Sequence, residues 1–256
     1  MNHLKYRLLC LVCCVALLVG GSGCALGKSF EENVIPSRPT QPVQTSSTDD
    51  PSTKPVNQTA ALPDKAEWFS DAVMIGNSRM RGLVLYSGLA FAASYAYDGY
   101  TAASLCYTPC VERSDGTLMT VPNAIRTGKK AGKYYILVGV NESSGKDIGG
   151  FEQAYNTLLD AITLANPQAE IFLIGEFGIT RNKEADSNLS QENIKLFNRV
   201  TKAIAEDGGY GYIDLFTYFA EDSGYLSPKR TSDGLHMDRD ACEEALDYIF
   251  VCSAHD

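Results

Sequence analysis

The sequence predicts an α/β fold of three layers, with helices on both faces of a parallel sheet of about five strands. Two observations carry that prediction. Apolar runs of strand length alternate with segments of helical spacing, and the strands are continuous apolar runs rather than in-and-out alternations. Crossover helices cover both faces of a parallel sheet, so its strands can be apolar on both sides.

The elements follow in chain order. "DAVMIG" from Asp71 is a buried strand bounded by Gly76, and "SRMRGLVLYSGL" is a helix leaving it. "SYAYDGYTAASL" has strand composition on its first side and a glycine turn at Gly99. "KYYILVGVNE" is the clearest buried strand, an apolar run reaching Val138 before Gly139. "GGFEQAYNTLLDAITLANP" is a helix, stopped by Asn166-Pro167 because the residue before proline avoids helical backbone. "AEIFLIGEFGIT" is another strand. "SQENIKLFNRVTKAIAEDGG" is a helix with Ser190 as its N-cap and a Gly-Gly stop. "YGYIDL" is a last short strand, and "RDACEEALDYIFVCS" a closing helix. In open parallel sheets ligands bind beyond the carboxyl ends of the strands. Ser78, Gly99 and Asn141 each lie just past such an end, so one crevice can hold all three.

Ahead of this domain, residues 1–23 read as an export signal. Lys5 and Arg7 precede the uncharged run "LLCLVCCVALLVG", and small residues follow. That run is well short of the ~20 residues a helix needs to span a bilayer. "GGSGCA" resembles a bacterial lipobox, which would make Cys24 a lipidated N-terminus, with Gly21 standing where leucine is usual. Cys10, Cys13 and Cys14 sit inside the apolar run and read as small hydrophobes. Residues 24–63 form a Ser/Thr/Pro-rich spacer. Six of the ten prolines fall between Glu31 and Ala66, and no aromatic residue does. Such a stretch cannot bury enough apolar surface to offset its ordering entropy. The predicted domain is 64–256, and the predicted location is outside the cytoplasm, on a lipid anchor at the bacterial membrane or secreted.

The chain carries a formal charge of −9. Loss of the signal removes two cations and no acid. An acidic domain without a basic cluster argues against nucleic acid as a partner. Four cysteines remain in the domain: Cys106, Cys110, Cys242 and Cys252. Outside the cytoplasm disulfides are possible; four cysteines allow three pairings, of which Cys106–Cys110 with Cys242–Cys252 is the local choice. "CYTPC" has ligand-like spacing for zinc, but no histidine lies near it, and no metal is expected. The acidic run from Asp238 to Glu244 reads as a solvated helix start.

Histidine narrows the chemistry. Of three, His3 lies in the signal and His255 one residue from the end, which leaves His236. It sits in "TSDGLHMD", three residues after Asp233. A serine hydroxyl becomes a useful nucleophile only when a base takes its proton as the bond forms. Imidazole is that base, and a carboxylate fixes its tautomer. Ser78, Asp233 and His236 are therefore the candidate catalytic group. Backbone N–H groups at Ser78 and Gly99, with the Asn141 amide, are candidate donors to a developing oxyanion. Arg79 and Arg81 flank Ser78 and read as surface residues, with contact to an anionic or sugar substrate as the alternative.

Together "IGNSRMRGL", "YDGYTAASL", "YYILVGVNE" and "DGLHMD", in that order, resemble the SGNH (GDSL-type) hydrolases over Asp71 to about Ala245. The resemblance implies a flavodoxin-like sheet and a nucleophile at Ser78. It also implies an oxyanion hole of Ser78, Gly99 and Asn141, a His236 base oriented by Asp233, and no cofactor. The expected activity is cleavage of carboxylic esters, with a short acyl group on a small molecule or polysaccharide. An O-acyltransferase and a non-catalytic carbohydrate-binding protein of the same fold are the rival readings. The family usually has aspartate where this chain has Asn77, and that departure leaves open how active the site is.

Overall fold

The computed structural model of the chain describes residues 62–254. The export signal, Cys24 and all but the last two residues of the predicted spacer lie outside that span. Asp64 caps α1 (Lys65–Ser70), which leads into β1 (Ala72–Gly76) and α2 (Ser78–Ser87). Next come β2 (Ala93–Ala96), α3 (Ala102–Tyr107), a hairpin of β3 (Val111–Glu112) and β4 (Leu118–Met119), and α4 (Val121–Thr127). β5 (Lys133–Leu137) leads through a 3-10 turn at Asn141–Ser144 to α5 (Ile148–Ala165). β6 (Glu170–Gly175), α6 (Arg181–Ala185), α7 (Gln191–Gly208), β7 (Gly211–Asp214) and α8 (Leu215–Phe219) follow. A second 3-10 turn at Pro228–Arg230 precedes α9 (Arg239–Ser253).

Five strands form one parallel sheet in the order β2-β1-β5-β6-β7. Ile75, Ile136 and Leu173 stand side by side in its centre. Alternate residues of these strands enter two separate cores, which is why each strand reads as one apolar run. Val73, Ile75, Tyr134, Ile136 and Leu173 pack toward α3, α4, α5 and α7. Ala72, Met74, Tyr135, Leu137 and Ile174 pack toward α1, α2 and α9. The buried Tyr135 hydroxyl donates to Ser253 (2.9 Å) and accepts from the Trp68 indole (2.9 Å), so α1 and α9 are pinned to one strand. The three-layer parallel fold read from the sequence is the fold observed.

Predicted and observed elements agree where the periodicity is long. Ser190 caps α7 by accepting from Asn193 N, and Gly209 closes it in the left-handed region (φ 68°). The short elements α1, α3, α4, β3 and β4 were not anticipated, because they are too brief to show a period. Neither of the two local cysteine pairings forms a disulfide. The Cys106 thiol points into the core and donates to the Ala154 carbonyl (3.0 Å), whereas Cys110, beyond the end of α3, meets Tyr97. Cys242 and Cys252 sit at opposite ends of α9, ~15 Å apart at the α-helical rise per residue, well beyond bridging distance.

With β2 on one side of β1 and β5 on the other, the chain direction across the sheet reverses at β1. The carboxyl ends of β1 and β5 flank that switch point, where doubly wound sheets open a crevice.

Candidate active site

Ser78 is the first residue of α2 and follows β1 after the single residue Asn77. Gly76 makes that sharp exit possible. A Cβ there would run into the Leu137 carbonyl oxygen and the Met80 side chain, so only glycine lets β1 press so closely against β5. Asn77 then caps α2, its Oδ1 accepting from Arg79 N (2.9 Å). The Ser78 N–H lies in the first helical turn, whose donors have no partner within the helix. It sits at the positive end of the helix dipole.

The Ser78 hydroxyl is 2.9 Å from His236 Nε2, and His236 Nδ1 is 2.7 Å from Asp233 Oδ2. The segment that presents them folds on itself. Asp233 Oδ1 accepts from Leu235 N (2.9 Å) and His236 N (2.8 Å), Gly234 turns at φ 79°, and its N–H donates to Thr231 Oγ1 (3.0 Å). A bridge between Thr231 and Met237 closes the loop. Burial alone would raise the Asp233 carboxyl. The His236 N–H and ring, with the Leu235 N–H, outweigh that effect and hold it well below the usual carboxylate range. An ionised Asp233 keeps the ring proton on Nδ1, which leaves Nε2 to accept from Ser78.

Gly99 turns at φ 76° after β2, and Asn141 opens the 3-10 turn after β5. One N–H of the Asn141 amide donates to Tyr100 O (2.8 Å). An amide has two such donors, so the second remains for a ligand. Glu142 accepts from Ala102 N (2.6 Å), which ties the same two loops together again. Burial pushes the Glu142 carboxyl up to about 7 against the pull of the Ala102 N–H, and its Oε2 is buried without a partner. Ser78, Gly99, Asn141 and His236 line one open cleft of about 480 Å³, whose walls include Gly82, Leu85, Tyr86 and Met237. Each of the five sequence-predicted residues thus reaches this cleft or, in the case of Asp233, stands directly behind it. Cys24 lies outside the described residues.

The structure adds two residues. Arg79 is fully buried rather than on the surface, because four acceptors surround its guanidinium. It donates to Glu176 Oε2 (3.0 Å), Phe177 O (2.5 Å), Gly178 O (3.1 Å) and Leu235 O (3.2 Å). Burial lowers its pKa, and the charges of Glu176 and Asp233 oppose that shift. Glu176, also buried, follows β6 and accepts through Oε1 from Asn77 Nδ2 (2.5 Å) and Val140 N (3.3 Å). One sequence signal was available: "MIGN" and "LIGE" both end an apolar strand in Ile-Gly and then a polar residue. Arg81, by contrast, is exposed at the cleft rim and paired with Asp98. The acidic run of α9 is accounted for locally. Asp238 caps the helix, Glu243 faces Arg239, and Glu244 pairs with Arg230.

A hydroxyl, an imidazole and a carboxylate in one hydrogen-bonded line, in a cleft also lined by Gly99 and Asn141, can carry out acyl transfer. The GDSL-like Lipase/Acylhydrolase family matches residues 110–241. The matched span contains Asn141, Asp233 and His236, while Ser78 and Gly99 precede it. Among solved structures, a Streptococcus pneumonia protein described as a platelet activating factor is similar, at 17% identity over 75% of this chain and 86% of that one (TM-score 0.56). So is a GDSL-like lipase from Bacteroides thetaiotaomicron, at 14% identity over 76% and 91% (TM-score 0.54). A Bacteroides fragilis protein described as an acylhydrolase shares 15% identity over 77% and 90% (TM-score 0.52). At such identities the likeness is one of fold. No match was found among the curated proteins.

Proposed function

Since the chain belongs to the GDSL-like lipase/acylhydrolase family and is an ester-hydrolysing enzyme, we propose that it cleaves short-chain carboxylic esters through an acyl-enzyme on Ser78. The observation that carries this reading is the line from Ser78 through His236 to Asp233. His236 Nε2 takes the Ser78 proton as Oγ attacks the ester carbonyl carbon. The resulting oxyanion is held by the N–H groups of Ser78 and Gly99 and the Asn141 amide. His236 then returns the proton to the leaving alkoxide, and the alcohol departs. Water attacks the acyl-enzyme with His236 again as base, which releases the acid and restores Ser78. Asp233, held ionised, stabilises the imidazolium formed in each half.

The substrate we infer is an O-acetyl or similar short acyl ester on a polysaccharide. An open cleft that leaves room for a large alcohol supports it, together with the export signal and Cys24 lipobox read from the sequence. The enzyme would then work at the outer face of the bacterial membrane, tethered by its spacer. Asn77, where the family usually has aspartate, is compatible with this reading, since its amide caps α2 and donates to Glu176.

Fluorophosphonate labelling of wild type, Ser78→Ala and His236→Ala, with ester hydrolysis in parallel, tests the mechanism. Wild type is expected to label and to turn over short-chain esters, and both variants to lose both properties. A wild type inert to the probe and to an ester panel would refute it. The anchor is tested by the mass of the mature N-terminus, expected at a lipidated Cys24.

A further inference from the structure

Three strand ends converge behind the catalytic groups, and one buried carboxylate touches the loop at each. Glu176 itself directly follows β6. Through Oε1 it accepts from Asn77 Nδ2 (2.5 Å), the residue before Ser78, and from Val140 N (3.3 Å), the residue before Asn141. Through Oε2 it accepts from Arg79 (3.0 Å), whose Nε reaches Leu235 O (3.2 Å), the residue before His236. Its own backbone is clamped on both sides by the Asn198 amide (2.8 and 2.7 Å). Asn77, Arg79 and Glu176 are all shielded from solvent.

We propose that Glu176 is the positioning residue of this active site. It sets Ser78, Asn141 and His236 relative to one another, and residue 77 is an amide because Glu176 already supplies the one negative charge the buried Arg79 requires. The role rests on the hydrolase reading above and goes beyond it, since Glu176 touches no reacting atom. The chemistry of position 77 follows. An aspartate there would face the Glu176 carboxylate at hydrogen-bond distance, where two like charges cannot both stay ionised. It would also offer no N–H to Oε1. An amide instead satisfies both neighbours, accepting from Arg79 N while donating to Glu176.

Hydrolysis of p-nitrophenyl acetate by the full chain tests the assignment, with kcat and KM measured for wild type, Glu176→Gln, Asn77→Asp and the double exchange Asn77→Asp/Glu176→Gln. Each single change is expected to lower kcat on the order of 100-fold, as misplacement of reacting groups by about 1 Å does, while KM stays within about threefold. The double exchange restores one carboxylate and one amide beside Arg79. It is expected to recover kcat at least about tenfold over Asn77→Asp, short of wild type because the Val140 N–H loses its acceptor. Thermal melts of the four proteins separate misplacement from unfolding. A double variant no more active than Asn77→Asp, whether folded or not, overturns the proposal, as do single variants with unchanged kcat. If Asn77→Asp alone fails to fold, a double variant that folds and turns over supports it. Wild type that cleaves no ester sinks the hydrolase reading and the positioning role with it. An active wild type with uncoupled variants sinks the positioning role alone.

Discussion

The two halves of the catalytic cleft are built by opposite means. The nucleophile half rests on strand ends in the sealed interior, where Asn77 and Glu176 have no solvent exposure and Arg79 only 2%. The base half is a surface loop in which the His236 and Asp233 side chains are 44% and 45% exposed. Long-range contacts fix the first half: Gly76 against Leu137 O, Asn77 on Glu176, Asn141 on Tyr100. The second is fixed largely by contacts within Thr231–Met237, with long-range ties from Arg79 Nε to Leu235 O, from Thr180 N to Gly234 O and between Ser78 and His236. The difference follows from what each group does. In the proposed mechanism Ser78 and the oxyanion donors hold a tetrahedral centre, which demands close positioning. An imidazole that shuttles protons to alcohol and water needs access to solvent.

The comparison breaks most visibly at Asp233. Asparagine in its place keeps an acceptor for the Leu235 and His236 N–H groups, so the loop should hold its shape. Its amide would, however, face Nδ1 with a donor and drive the ring proton onto Nε2, which then has no lone pair to take the Ser78 proton. Asp233→Asn is expected to lower kcat by roughly 10³–10⁴-fold, with a melting temperature within a few degrees of wild type. Steady-state kinetics and a thermal melt check both halves of the statement. A large loss of stability would show that the exposed loop is part of the structural core after all.

In the buried half, Asn141→Ala should cost less activity and more order. Removing one oxyanion donor typically lowers kcat by about 10²–10³-fold with little change in KM. The lost bond to Tyr100 O also frees the Gly99 turn. Hydrogen exchange is expected to rise across 97–102 and not across 231–237. Equal exchange in both segments would mean that the two halves are held alike.

How much of this was legible beforehand depends on the range of the interaction. The large elements were readable because one apolar face or one buried run repeats over many residues, as in α5, α7 and β5. The Asp233–His236 pair was readable because its hydrogen bonds close within three residues. Arg79 and Glu176 were not. They are 97 residues apart, and their burial exists only once β1 and β6 lie in one sheet with β5 between them. Taken singly, arginine is a surface residue by default. Only the strand context of "MIGN" and "LIGE" hints at the interior pair. The disulfide expectation failed for a related reason: spacing along the chain says nothing of thiols pointing apart.

Acidity separates the halves by sign. Glu142, in the buried half, has its folded-state pKa raised to about 7 by burial, so its contribution to stability is fully present below the unfolded value near 4.5 and is lost as pH rises through 7. The size of the effect is at most about 3 kcal/mol, from the shift converted at 1.36 kcal/mol per unit. Asp233, in the exposed half, is depressed. Its contribution is present above its unfolded value and is lost as pH falls through the folded one, in strong acid. Denaturant midpoints measured at pH 5 and pH 8 should therefore drop toward pH 8 in wild type and change less in Glu142→Gln. Identical changes in both proteins would mean that the buried carboxyl does not titrate in this range.

The smallest effect belongs to the rim. Arg81 is one turn from Ser78 and lines the same cleft, yet its side chain is 58% exposed and paired with an Asp98 that is 61% exposed. Exposed ion pairs contribute little, because water screens the attraction and two long side chains must be ordered to form it. Arg81→Ala is expected to leave kcat within about twofold for p-nitrophenyl acetate, whose alcohol is small and uncharged at the contact point. A substrate with a bulky or acidic alcohol would extend past the catalytic groups to the rim, and there the same substitution should raise KM. The comparison needs only two substrates and one variant. If Arg81→Ala instead lowers kcat on the small ester, the rim acts on the chemical step, and the boundary between the precisely held interior and the permissive surface must be redrawn to include it.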